Sequence, residues 1–367
     1  MSNWVLALKS DTDRDYSLDF LKFLAAIFIV FHHYQQLLDI TFPTEISYWN
    51  GKFYWGYMVE LFFVLSGFFM AKYVDKIKKR TINLKNFYLR RWLRVAPMVF
   101  ITAVVYEIGV YLYIRFTGQL YFGTGVSLFG IITDTLCIQA GGVFPNPCVN
   151  NVTWYLSVLM ICYVVFYLLT YLSSRLKINE TYFFIAMILL GIAINTYALN
   201  LPFLNSMTNR GYYSFFGGLL LGLLVQKIGI KKNMIIAAGA VLAVFVMTCI
   251  FGYDYLVADM SLILALFIYP AIIILFQTKP IKKVFSRPVF GLLGKVSFDM
   301  YLWHNPLHLI MVILVFTGNI TIDYINRLYM YLFLLAVIVV SFISYFLLEA
   351  PVDRWMKRRF LHIRNLT

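Results

Sequence analysis

The chain has 367 residues, 61% of them hydrophobic and only 13% charged, with a mean hydropathy of +0.77. A water-soluble domain of that size would expose far more apolar surface than it could tolerate, so the composition excludes a cytosolic enzyme and predicts a multi-pass membrane protein. A formal net charge of +14 would suit nucleic acid, but the cations are distributed loop by loop, a pattern of membrane topology and not of a basic binding face.

Apolar stretches near the ~20 residues that a bilayer requires fall at about 17–39, 53–74, 95–115, 152–173, 181–200, 211–228, 233–251, 258–277, 291–317 and 327–349. They predict an all-α integral membrane protein of about ten transmembrane helices, one domain over 1–367 with no internal repeat. Basic residues crowd into alternate loops: Lys9 and Arg14 before the first span, nine cations from Lys72 to Arg94 after the second, then Arg175 and Lys177, Lys227 to Lys232, Lys279 to Arg287, and Arg354 to Arg364. The intervening loops hold only Lys52, Arg115, Arg210 and Arg327. This asymmetry predicts cytoplasmic N- and C-termini and an even number of spans. Acidic residues flank the first span and no small-residue cleavage site follows it, so it reads as a retained helix.

That first span carries Asp19, Lys22, His32 and His33. Ionisable groups within a membrane span are costly and are usually there for function. Lys22 and His33 are 11 positions apart, close to three helical turns, so they share a helix face about 16 Å apart along the axis. The predicted topology puts Lys22 near the cytoplasmic surface and His33 toward the outer one. Glu60, in the returning second span, matches His33 in depth, and a connection of about a dozen residues makes the two helices neighbours. The expectation is that His33 acts as a base with Glu60 orienting its ring; a buried structural ion pair is the plain alternative.

Arg91 and Arg94, three apart at a helix entrance, can share a face and fork onto phosphate oxygens, although the positive-inside rule alone accounts for most of that loop. Ser66 and Gly67 suit close helix packing better than nucleophilic chemistry. His304, beside Trp303 and Asn305 with His308 one turn on, reads equally as a site-lining group or a satisfied interior histidine. In the outer loop, at about 116–151, VSLFGIITDTL predicts a short re-entrant or interfacial helix, and Cys137 and Cys148 are a disulfide candidate on an oxidising side. The histidines and cysteines show no metal-ligand spacing. Nor is there a P-loop, a dinucleotide fingerprint or GxSxG.

The segment LDFLKFLAAIFIVFHH resembles the opening motif of the membrane-bound acyltransferase 3 family, in which a basic residue, usually Arg, precedes a His by eleven positions. Four further segments follow in the family's order. VELFFVLSGFFM, from Val59 to Met70, resembles its acidic-LFFVLSGF segment, and RRWLRVAP, from Arg90 to Pro97, its RxxR segment. GKVSFDMYLWHNP, from Gly294 to Pro306, resembles SxxxYLxH, and LLEAP, ending at Pro351, the closing ExP. Departures are Lys22 in place of the commoner Arg, which keeps the charge but loses the bidentate fork, and Leu159, where many relatives carry an acid five positions after Trp154. With 18 residues after Glu349, the family's optional extracytoplasmic hydrolase-like extension is not expected.

The resemblance implies transfer of an acyl group, most often acetyl, from cytoplasmic acetyl-CoA to a hydroxyl of an extracytoplasmic or lipid-linked polysaccharide, in a bacterial cytoplasmic membrane. Acetyl-CoA would be a co-substrate, with no permanently bound cofactor and no metal. By that resemblance His33 and Glu60 are catalytic; Lys22, Arg91 and Arg94 bind the donor; Asp19, Ser66, Trp154, Ser297, Tyr301, His304 and Glu349 are candidates to line the site. The partners implied are the donor, the glycan acceptor and membrane lipids, without nucleic acid; a homo-oligomer or a cell-envelope partner protein is left open. The competing reading is a proton-coupled transporter or exporter of a small solute, which predicts a pseudo-repeat with matched broken helices that the sequence lacks. A non-catalytic component of a polysaccharide assembly complex would leave the Lys22 and His33 spacing unexplained.

Overall fold

In a bilayer each backbone polar group must be satisfied within its own segment or a closed barrel, and this chain answers with helices throughout. The computed structural model describes residues 14–41, 55–144, 149–251, 260–324 and 326–360. The helices are α1 (Tyr16–Thr41), α2 (Met58–Met70), α3 (Val74–Lys78), α4 (Leu84–Thr117), α5 (Leu128–Leu136), α6 (Trp154–Leu176), α7 (Glu180–Thr196) and α8 (Thr208–Phe251). They continue with α9 (Met260–Ile263), α10 (Tyr269–Phe276), α11 (Lys279–Val284), α12 (Pro288–Phe316), α13 (Arg327–Ser344) and α14 (Ala350–Phe360). Two π-helical turns, Leu264–Ile268 and Tyr345–Glu349, join α9 to α10 and α13 to α14. Among the described residues there is no strand beyond two isolated bridges.

Local chemistry sets several helix starts. Asn83, Ser127, Asn179 and Asn326 each stand just before a helix in extended conformation and accept a hydrogen bond from a first-turn backbone N–H, satisfying one of the donors a helix start leaves free. Among the described residues, seven helices are long and apolar enough to cross a membrane, and Glu180–Thr196 and Met260–Phe276 are shorter apolar helices. The count of ten read from hydropathy is not reached on length and apolarity. One reason is that α8 runs through two of the ten stretches, with a break at Gly229, where φ is 74° and ψ is 169°. A side chain is strained at that φ, so glycine marks the joint.

The first and second spans pack into different neighbours. α1 runs alongside α12, and α2 lies against α8. The α2 and α8 backbones touch: a Cβ on Gly67 would overlap the carbonyl of Phe215, and one on Gly218 would overlap that of Val64. Small residues permit such approach between apolar helices that gain little from burial in lipid. The core is aromatic, with Phe63, Phe87, Phe166, Phe184, Phe215 and Phe216 fully buried, whereas Ile235, Leu242, Phe245 and Ile250 in the second half of α8 face outward.

The loop between α4 and α6 packs back onto the bundle, and the short helix predicted in it forms. Its apolar stretch forms α5, which lies against α4 and exposes Leu128, Phe129 and Ile132. Asp134, fully buried, accepts from the Val149 and Asn150 backbone N–H groups and from Thr153 Oγ1. Asn150 in turn donates to the Leu302 carbonyl at 3.2 Å. That carbonyl is free because Pro306, four residues on within α12, has no N–H to give it. The loop thereby satisfies a polar group that the helix itself leaves open.

Candidate active site

At the end of α1 nearest the basic loops, Asp19 is buried and gathers cations. Arg14 Nε donates to its Oδ2, and Lys22 Nζ donates to Oδ1 at 3.0 Å. Gly294 of α12 lets that carboxylate approach, since a Cβ there would overlap the Asp19 side chain. Lys22 rests over the Phe69 ring at 4.7 Å and lies within electrostatic range of Arg94. Arg94 also faces Glu349, as does Lys295. Three of the expected residues, Asp19, Lys22 and Arg94, thus share one place, with Glu349 at its edge.

Arg91 does not join them, which corrects the expectation of a forked RxxR pair. Its guanidinium lies over Phe87 at 3.5 Å, with Tyr73 and Tyr163 at 4.7 and 5.0 Å, and donates to the Phe87 carbonyl and to Met70 Sδ. A flat cation surrounded by aromatic faces is held by them and by its own helix, so Arg91 fastens α2 to α4 and α6 while Arg94 remains exposed. The cation beside it that opens to solvent is Arg90. It lines a groove of about 500 Å³ with Tyr73, Lys76, Arg80, Asn83 and Asn86.

Three turns along α1, the His33 ring stacks on His304 with centroids 4.9 Å apart and planes 23° off parallel. The His32 ring centroid is 5.1 Å from that of His33, and Gln36 is within hydrogen-bond reach of His33. His304 Nδ1 lies 3.1 Å from the Met300 carbonyl; among the described residues its Nε2 has no partner, and His308, one turn on and equally buried, has none on either nitrogen. The four imidazoles come from α1 and α12. Among the described residues no group of three or more His, Cys, Asp or Glu is disposed to hold a metal ion.

Glu60 is engaged elsewhere, the second correction. Arg210 at the start of α8 grips it with both edges, Nε to Oε1 at 2.5 Å and Nη2 to Oε2 at 2.9 Å, and Ser261 Oγ donates to Oε1 at 2.5 Å. Tyr213 shares Ser261, and the Trp154 ring lies 5.0 Å from the Arg210 guanidinium. A guanidinium is always charged and fits a carboxylate in two parallel bonds, so it outcompetes an imidazole for this partner. Glu60 nevertheless lies toward the His32 end of α1, since its partner Arg210 is within electrostatic range of His32. Sequence patterning does not single out Arg210 as the partner of Glu60, although a signal is there: it is one of four cations in the sparsely charged loops, placed at the mouth of a span.

The remaining candidates are structural in their contacts. Ser66 Oγ lies 3.4 Å from the Tyr155 hydroxyl, and Ser297 Oγ donates to the Gly294 carbonyl one turn back. The Tyr301 hydroxyl donates to the Val152 carbonyl while its ring packs against Tyr155 and His304. Cys137 is a buried free thiol, pushed up to about 12 by burial and then by the Asp134 carboxylate; Cys148 lies outside the described residues.

Residues 15–346 match the family model for the acyltransferase domain of the acyltransferase 3 family. Neither a curated relative nor a solved structure matches the chain.

Proposed function

Because the chain belongs to the acyltransferase 3 family and is a multi-pass membrane acyltransferase, we propose that it is an O-acetyltransferase of the bacterial cytoplasmic membrane, moving acetyl from cytoplasmic acetyl-CoA to a hydroxyl of an extracytoplasmic or lipid-linked polysaccharide. The observation that carries this reading is one helix with two chemistries: Lys22 among cations at the basic end of α1, and His33 stacked on His304 three turns along it.

A phosphorylated donor needs fixed positive charge on the cytoplasmic side. Lys22 supplies it within the bundle and Arg94 at its surface, and Lys76, Arg80 and Arg90 supply it around the adjoining groove. The pantetheine arm then runs inward along α1. At the far end a sugar hydroxyl becomes an adequate nucleophile only as a base takes its proton, and His33 is that base. Gln36 and the face of His304 fix its ring. The hydroxyl oxygen bonds to the thioester carbonyl carbon, the carbon–sulfur bond breaks, and its electron pair leaves with sulfur.

Purified protein in vesicles, supplied with isotopically labelled acetyl-CoA and an oligosaccharide acceptor, tests the reading by mass spectrometry of the acceptor. Label in an ester on the glycan is the expected result. Hydrolysis to free acetate with no glycan ester, or no consumption of donor, overturns it.

A further inference from the structure

A pair of buried carboxyl groups lies off the α1 face used above. Asp299 of α12 is fully buried, and Glu349, the last residue of the π-helical turn after α13, is 9% exposed. The two side chains are within hydrogen-bond reach of each other. Asp299 Oδ1 accepts from Ser344 Oγ at 2.6 Å, and that hydroxyl accepts from Trp303 Nε1 at 2.7 Å. Among the described residues, Asp299 Oδ2 and Glu349 Oε2 receive no donor. Two ionised carboxylates facing each other in a low-dielectric interior repel strongly, and an acceptor without a donor there is expensive. One proton between them removes both penalties, as in other carboxyl dyads. The π-helical turn adds to this, since such turns concentrate where a helix presents a working side chain.

The pair lies near residues that the proposed reading assigns to the donor. Arg94, which faces Lys22, also faces Glu349. Along α12, Asp299 is five residues short of His304, about 7.5 Å lower on the axis and on the basic-end side. An acetyl-CoA arm entering from that end presents its sulfur to the Asp299 side of the carbonyl carbon. His33 has just taken a proton on the far side. The sulfur needs another.

We propose that Asp299 and Glu349 hold one proton between them and deliver it to the sulfur of the departing CoA. This rests on the acyltransferase reading above. As the carbon–sulfur bond breaks, its electron pair goes to sulfur and the shared proton moves there, giving the free thiol. Both carboxylates are then ionised, balanced by Arg94 and Lys295, and the pair regains a proton from water at the basic end. The acceptor's own proton leaves from His33. The charged groups in range of Glu349 are Arg94 from α4, Lys295 from α12 and Asp353 from α14; Tyr345 of the π-helical turn is in range of both carboxyls and also of Arg14, ahead of α1, and Arg354 from α14.

Infrared spectroscopy of the wild-type protein with 13C-labelled Asp and Glu side chains reads the proton directly. A protonated-acid C=O stretch at neutral pH that disappears in both Glu349→Gln and Asp299→Asn is expected; its absence from wild type overturns the proposal without recourse to any variant. Kinetics then read the role. Glu349→Gln keeps the geometry, since its amide can donate to Asp299, but has no acid to give. Turnover should fall roughly 100-fold with acetyl-CoA affinity retained, and the fall in rate at alkaline pH that the proposal expects of wild type should be absent. Wild-type turnover and an unchanged pH profile in the variant overturn the role alone. A wild-type protein that carries the band but acetylates no acceptor overturns the acyltransferase reading, and with it the destination of the proton.

Discussion

His32 and His33 are adjacent in sequence and belong to different surroundings, because successive residues point about 100° apart on a helix. His33 meets His304, and His32 comes within range of Arg210. His33→Ala should abolish glycan acetylation while expression and membrane insertion persist, whereas His32→Ala should retain turnover; glycan mass spectrometry beside detergent thermal stability checks both, and an inactive His32→Ala with an active His33→Ala would reverse the assignment. Glu60 calls for a different experiment. Its carboxylate is fully buried and held by Arg210 and Ser261, so removing the charge strands a half-buried guanidinium. Glu60→Gln should cost about 3 kcal/mol of stability, and the Glu60→Gln, Arg210→Gln double variant should cost clearly less than the sum of the singles. A thermal-stability mutant cycle measures that coupling, and strict additivity would dissolve the pair.

At the scale of elements, the contact between α2 and α8 is set by what is missing. Gly67 and Gly218 bring each backbone onto the other, and a methyl group at either has only carbonyl to displace. Gly67→Ala should therefore push the helices apart and lower the melting temperature in detergent. Gly217→Ala, whose new methyl would meet only the Leu266 side chain at 2.8 Å, should be tolerated better. Equal melting shifts for the two would show that the interface yields as readily at backbone as at side chain. The same interface carries Glu60 to Arg210, so the loss at Gly67 should extend to activity.

Across the whole molecule, α1 spans from a cation cluster to an imidazole stack, and the proposed chemistry depends on that separation. Lys22→Ala should weaken acetyl-CoA binding, while His33→Ala should leave the donor bound and the acetyl group untransferred; calorimetric titration of both variants reads the division. Lys22→Arg should stay active, because it keeps the charge that Asp19 and Phe69 hold in place. Equal loss of donor affinity in both alanine variants would place Lys22 and His33 in one local site and end the two-sided mechanism.

The sequence by itself determined what depends on composition, on periodicity and on short motifs: an all-helical membrane protein, though not its number of spans, the shared face of Lys22 and His33, the short helix in the loop between α4 and α6, and the family. These follow from the bilayer's demand for apolar, self-satisfied segments and from helix geometry within one segment. Only the tertiary structure decided which polar groups meet across helices. Glu60 and Arg210 are 150 residues apart, Asp299 and Ser344 are 45 apart, and Arg91 is claimed by an aromatic cage contributed by three elements. Topology places Glu60 toward the His33 end of α1, and its partner Arg210 is within electrostatic range of His32 there. Rotation about each helix axis and the choice of neighbour could not be read from topology, because apolar faces are interchangeable to lipid and only packing, here fixed by Gly67, Gly218 and Gly294, determines which face turns toward which helix.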